Sequence, residues 1–199
     1  MKALLCAAAA VACLTATPAA AQLYGTIGLT HLDAEANELP ELGTLGFEAI
    51  TGRGGFQFSP YVGVEAEASF GWEDATTTFT ETVEDEEEEE VEVDVSVATS
   101  LTYDVAAFLV GRLPMTDNAS LLGRIGYGKT EYEFEATAEL DGETETETME
   151  GNAEGWRYGV GAEFFFNDMS GVRIDFMRTN TSEVDADSYT ISYVHRFGG

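Results

Sequence analysis

The sequence predicts an all-β chain whose eight antiparallel strands close into a transmembrane barrel. Three observations carry that reading. Strand-like stretches alternate apolar and polar residues with period two over almost the whole chain after residue 21. The connections between them alternate strictly between long acidic segments and short turns. The arginines in these stretches lie opposite the greasy face, whereas a soluble hairpin would hide its grease and show its charges.

The pattern is cleanest from Phe47 to Trp72, FEAITGRGGFQFSPYVGVEAEASFGW, two strands joined at Ser59-Pro60. Side chains along a strand point alternately to its two faces. Val62, Val64, Ala66, Ala68, Phe70 and Trp72 therefore share one face, and Gly63, Glu65, Glu67, Ser69 and Gly71 the other. In the preceding strand Ile50, Gly52, Gly54, Phe56 and Phe58 oppose Thr51, Arg53, Gly55 and Gln57.

The chain opens with Met1-Lys2, an apolar run from Ala3 to Leu14 and the small residues Ala19-Ala20-Ala21. That is the layout of a signal peptide cleaved after Ala21, and the run is shorter than the roughly 20 residues a membrane helix needs. The division expected is 1–21 signal peptide and 22–199 barrel. Cys6 and Cys13 both fall in the signal, which leaves no disulfide or thiolate metal site beyond it.

A net charge of −28 argues against nucleic acid as a partner. The acids are clustered: 29 of 37 lie in Asp33–Glu41, Glu73–Asp94, Glu131–Glu154 and Glu183–Asp187. Every arginine except Arg178 falls in a strand-like stretch outside these clusters. Like-charge runs such as Glu86–Glu90 are ordinarily solvated or disordered, so the clusters are expected to be loops.

Strand one, Leu23 to Leu32, sets Leu23, Ile27 and Leu29 against Tyr24, Thr26 and Thr30. Strand four ends at Leu113 and sets Tyr103, Val105, Ala107, Leu109 and Leu113 against Asp104, Ala106, Phe108, Val110 and Arg112. After the turn Pro114–Asn118, strand five sets Leu121, Gly123, Ile125 and Tyr127 against Leu122, Arg124 and Gly126. Its alternation runs on into the acidic segment, so this strand is expected to extend beyond the membrane. Strand six sets Trp156, Tyr158, Val160, Ala162, Phe164 and Phe166 against Arg157, Glu163 and Phe165. Asn167–Ser170 is the next tight turn. Strand seven sets Val172, Ile174 and Phe176 against Arg173 and Asp175, and strand eight sets Tyr189, Ile191, Tyr193, His195 and Phe197 against Thr190, Ser192, Val194 and Arg196. An even strand number with short periplasmic turns and long acidic extracellular loops is the pattern of bacterial outer-membrane barrels.

Two features test the register. Arg53, Arg112, Arg124, Arg157, Arg173 and Arg196 all share the inner face. A slip by one residue would turn them to lipid, at about 2–4 kcal/mol each at mid-membrane. Glu65, Glu67, Glu163 and Asp175 are on the same face and complete a lumen charge network. The aromatics Trp72, Tyr103, Tyr127, Trp156 and Tyr189 gather on the outer face near the loop ends, and Phe56, Phe58, Phe166 and Phe197 near the turn ends. Such girdles mark the two membrane–water interfaces.

The signal ending Ala19-Ala20-Ala21-Gln22, the core TGRGGFQFSPYVGVEAEASFG, the RIGYG at Arg124–Gly128 and the final ISYVHRF resemble the small outer-membrane β-barrels of the OmpA/OmpX-like "porin family". The resemblance spans the chain after the signal and implies location in the cell outer membrane. It also implies that barrel-assembly machinery reads the aromatic last strand, here Tyr193 and Phe197. It implies no activity.

No catalytic residues and no cofactor are assigned. His31 with Asp33 and a lumen Ser69 would be the sole conceivable hydrolase set for lipid A or peptides, and no spacing supports it. Gly52-Arg53-Gly54-Gly55 precedes no helix and is not a phosphate loop. The acidic segments Glu84–Glu92 and Glu143–Glu150 could loosely collect Ca²⁺ or Mg²⁺ through carboxylates, with Glu86, Glu87, Glu88, Glu89 and Glu90 as candidates. The expected protein is a monomer in a bilayer with lipopolysaccharide, its lumen too full for more than a narrow pore. Its role is structural or surface-interacting.

Overall fold

Alternation commits each stretch to a strand, but an isolated strand leaves its main-chain groups unpaired. Closing the sheet on itself pairs them all. The computed structural model does this; it describes residues 22–36, 44–73, 75–84, 90–140, 143–181 and 184–198. The proposed signal, residues 1–21, and the candidate cation ligands Glu86, Glu87, Glu88 and Glu89 lie outside the described residues.

The strands are β1 (Gln22–Ala36), β2 (Thr44–Gln57), β3 (Val62–Glu73), β4 (Ala75–Glu84), β5 (Glu90–Pro114), β6 (Ala119–Leu140), β7 (Glu143–Phe165), β8 (Ser170–Asn180) and β9 (Val184–Phe197). Eight of them form the wall. Each pairs antiparallel with its neighbours, β3 pairs with β5, and β1 pairs with β9 to shut the ring. The ninth, β4, continues β3 along the same side of β5, so the wall count of eight stands.

The three short turns share one device. Ser59 Oγ accepts from the backbone N–H groups of Tyr61 and Val62, Thr116 Oγ1 from Asn118 and Ala119, and Asn167 Oδ1 from Met169 and Ser170. A short polar side chain bonding two and three residues ahead is what favours Ser, Thr and Asn in turns. Each turn also clips to the next hairpin: Arg112 N–H donates to Tyr61 O, Phe165 N–H to Asn118 O, and Arg196 N–H to Met169 O.

At the other end the expectation of irregular loops is corrected. The Glu73–Asp94 cluster forms a hairpin, Ala75↔Thr99 through Glu84↔Glu90. The Glu131–Glu154 cluster forms another, paired as far as Leu140↔Glu143. The first and last clusters are likewise partly strand, with β1 reaching Ala36, β8 reaching Asn180 and β9 starting at Val184. Arg178, expected outside the strands, lies near the end of β8, 3.8 Å from Asp187. The reason is compositional. These runs alternate acids with Val, Thr, Tyr and Phe, which favour strands, and the main-chain ladder they inherit from the barrel outweighs exposed charge repulsion. The cost of like charges facing each other, as at Glu133↔Glu150, is modest in water.

One feature of the register was not foreseen. The β5–β6 pairing shifts between Leu101 and Tyr103. Below it the even positions Asp104, Ala106, Phe108 and Val110 are buried, and above it the odd positions Thr99 and Leu101. A bulge of this kind adds one residue and swaps faces.

The outward positions form a continuous apolar band, including Ile27, Leu29, Leu109, Ile125, Val160, Ile174 and Ile191, all about half exposed. Trp72, Tyr127, Trp156 and Tyr189 top it, and Phe166 and Phe197 border its lower edge, each equally exposed. Such a band facing outward is costly in water and favourable in lipid.

Candidate functional site

The inner face holds what the chain has by way of a site. Its midsection is a cluster of three guanidiniums and three carboxylates from four strands. Arg53 on β2 donates from Nε to Glu67 Oε2 at 2.5 Å and from Nη1 to Asp175 Oδ2 at 3.0 Å. Arg124 on β6 reaches Glu65 at 2.9 Å and Glu67 at 2.8 Å. Arg173 on β8 donates to Glu65 Oε2 at 2.5 Å and to Asp175 Oδ1 at 2.9 Å. Tyr24 OH donates to Glu65 Oε2 at 2.7 Å.

Two flanking pairs complete the network. Arg112 donates to Glu163 from both terminal guanidinium nitrogens, Nη1 and Nη2, toward the turn end. Toward the loop end Arg157 forks onto Asp104, at 2.6 Å and 2.5 Å, with Thr130 bonded to both partners. A bidentate fork fixes geometry as well as charge. Arg157 fits because Gly128 beside it has no side chain; a Cβ there would lie 2.5 Å from Arg157 Nε.

Desolvated charges are tolerable only when paired, and each guanidinium here has a carboxylate partner, although among the described residues Arg124 Nε and Nη1 and Arg157 Nε are buried without a hydrogen bond. Arg173 is 0% exposed, Glu163 2% and Glu65 3%. A belt of hydroxyls crosses four strands of the same wall, Thr190 to Thr30 at 2.9 Å, Thr30 to Thr51 at 2.6 Å and Thr51 to Ser69 at 2.8 Å. Apolar layers fill the rest: Phe47, Ala49 and Leu101 in one cluster, and Tyr24, Phe165 and Val194 in another. Phe108 packs under the Arg124 guanidinium at 4.1 Å.

Nine of the ten residues expected in the network meet ionic partners. Arg196 does not. It is lumenal but stacks on the Phe165 ring at 3.4 Å, a cation–π contact, instead of joining a carboxylate. Asp104 takes up its own share of the charge. It was legible as an inner-face acid, and its partner Arg157 lies two strands away in β7, which only the register reveals.

His31, Asp33 and Ser69 do not converge. His31 and Asp33 are at the outer rim, where His31 bonds Asp33 at 3.2 Å and Glu48 at 2.7 Å. Ser69 is on the inner wall. The Glu48 hydrogen bond holds the exposed His31 imidazole above its ordinary pKa. Glu90 begins β5, and among the described residues no group of three or more His, Cys, Asp or Glu is arranged to hold a metal ion.

Residues 4–197 match the outer membrane protein beta-barrel domain. The chain belongs to this family. Solved structures agree on the fold. Ail, the attachment invasion locus protein of Yersinia pestis, is 16% identical with a TM-score of 0.52, over 89% of this chain and 99% of Ail. Ail in complex with the heparin analogue sucrose octasulfate gives a TM-score of 0.50 at the same identity and coverage. OprG from Pseudomonas aeruginosa is 11% identical with a TM-score of 0.52, over 90% of this chain and 97% of OprG. No curated protein matches the chain in sequence. Eight wall strands, an outward apolar band and a charged, filled interior make this a transmembrane barrel of that family.

Proposed function

We propose that the protein is an integral barrel of a Gram-negative outer membrane with a structural or surface-interacting role, and that it conducts at most small ions. The observation that carries this is the packed midsection, where Arg53, Arg124 and Arg173 interlock with Glu65, Glu67 and Asp175 at near-zero exposure. Breaking such pairs to admit a solute strands buried charges, so an open channel is disfavoured. With the lumen closed, what remains to act is the outer surface.

In this reading the segment ending at Ala21 exports the chain and is removed. The assembly machinery reads Tyr193 and Phe197, and the barrel sits as a monomer among lipopolysaccharide. The short turns face the periplasm and the acidic hairpins face outward. Those hairpins are a solvated repulsive surface, binding Ca²⁺ or Mg²⁺ no more than loosely. Ail has been solved with a polysulfated ligand; the acidic hairpins here oppose a polyanion, so a ligand of that charge is not carried over. No catalytic role is assigned, in keeping with the separation of His31 and Asp33 from Ser69.

Planar-bilayer recording on the folded protein tests the proposal. It predicts no steady conductance, or only small-ion leakage; a large steady conductance would contradict it. Lipid A from cells with and without the gene should have the same acyl pattern, and a changed pattern would favour an enzyme instead.

A further inference from the structure

Polar atoms interrupt the lipid-facing wall near the turn end, where Ser170 opens β8 and Tyr193 and His195 stand just before the end of β9. Strand alternation turns all three outward, on the face that carries Val172, Ile191 and Phe197. His195 is the ladder partner of Ser170. Tyr193 OH lies 2.8 Å from Ser170 Oγ, and His195 Nδ1 lies 3.4 Å from each of these two oxygens. Packing fixes the imidazole: it stacks on the Tyr193 ring at 6.3 Å between centroids and packs T-shaped against Phe197 at 5.0 Å. On the β1 side its partner is Gly25, and the Phe197 ring leans over that glycine, 3.3 Å from where a Cβ would be.

This triangle cannot satisfy itself. A neutral imidazole brings one N–H, and each hydroxyl brings one O–H. With the proton on Nε2, the hydroxyls donate to one another and to Nδ1, and the Nε2–H is left over. With the proton on Nδ1, a hydroxyl hydrogen is left over. A doubly protonated imidazole leaves both. Nε2 has no partner among the described residues. Hydrocarbon has no acceptor for a spare donor, and an unpaired one there is costly. Phe166 and Phe197 border the apolar band at this height, which sets the triangle at the level of lipid headgroups.

We infer that Ser170, Tyr193 and His195 form a seat for the phosphate of a phospholipid in the leaflet on the turn side. The two unesterified phosphate oxygens accept from His195 Nε2–H and from the spare hydroxyl of the triangle, and the charge on the phosphate strengthens both bonds. Val172, Ile191 and Leu23 lie alongside for the acyl chains. Calling that leaflet periplasmic rests on the orientation proposed above; the seat itself does not.

The test is native mass spectrometry of the folded full chain released from maltoside micelles. Phosphatidylglycerol is titrated against a digalactosyl diacylglycerol with the same chains, which has hydroxyls and esters but no phosphate. The first phosphatidylglycerol should bind about tenfold more tightly than the glycolipid. His195→Phe should abolish that preference and leave glycolipid binding unchanged. Ser170→Ala with Tyr193→Phe should reduce it several-fold while keeping every ring, and decides the matter if His195→Phe does not fold. His31→Gln, at the opposite rim, should keep the full preference. Equal affinity of the intact protein for the two lipids would overturn the inference, as would a preference that survives these substitutions at Ser170, Tyr193 and His195. Because one lipid at a time is presented in detergent, the result does not depend on which way the barrel is inserted, and the proposed orientation stands or falls separately.

Discussion

Arg173 Nη1 and Glu65 Oε2 meet at 2.5 Å with both side chains wholly removed from solvent, one carried by β8 and the other by β3. The contact spans the lumen, since β8 and β3 are not neighbours in the sheet. It is the cross-brace of the interior.

Removing one end of the brace should be worse than removing both. Arg173→Met leaves Glu65 and Asp175 short of a cation, and the expected loss is about 3–5 kcal/mol. Arg173→Met with Glu65→Gln should recover part of it. Reversible urea unfolding in detergent or lipid gives both numbers. A double-variant loss equal to the sum of the losses from Arg173→Met and Glu65→Gln alone would mean that the two residues act independently.

Gly128→Leu should expel Arg157 from its fork on Asp104, because the space a side chain needs there is occupied by the guanidinium. Overpacking of this kind costs about 1–3 kcal/mol. Gly123→Leu is the control, as its outward side has no atom within 4 Å of a Cβ. Thermal unfolding should drop for the first and stay nearly level for the second.

His31 should titrate above the ordinary imidazole value of 6.5, since Glu48 accepts a hydrogen bond from its ring. The sign follows from linkage: a pKa raised in the folded state favours folding below the unfolded value, and that contribution fades as pH rises through the folded one. Glu48→Gln should bring the titration midpoint down. NMR of the ring protons against pH reads it directly, and an unmoved midpoint would deny the contact. The effect on stability is small because the cluster is exposed.

The acidic arms should behave as sheet. Amides of 90–99 and 131–140 should resist hydrogen exchange well beyond the rates of open chain. Exchange as fast as an unstructured peptide would return these runs to solvated loops.

Much of this was legible in the sequence, for a physical reason. A barrel wall in lipid obeys one rule at every strand, so Arg124 opposite Ile125 or Arg173 opposite Ile174 declares its face from local alternation alone. The girdle rings follow from the same alternation and the strand ends. What stayed hidden depends on partners distant in sequence. Nothing local pairs Tyr24 with Glu65, or Asp104 with Arg157. Arg196 alternates like its five companions, and only the fold places Phe165 beneath it. The bulge after Leu101 needs the β6 register to be seen. The acidic arm before β5 is hidden for another reason: the like-charge run Glu86–Glu90 signals a loop, while the alternation of Val91, Val93 and Val95 with acids just after it signals a strand.

Which face of the wall meets lipid is tested most directly by nitroxide labels in lipid bilayers. Labels replacing Ile125 and Ile174 should be relaxed by oxygen dissolved in the acyl region and shielded from a water-soluble nickel chelate. Labels replacing Thr51 and Ser192 should show no such oxygen advantage. Nickel-accessible labels at Ile125 and Ile174, with lipid-exposed labels at Thr51 and Ser192, would contradict an outward-facing apolar band.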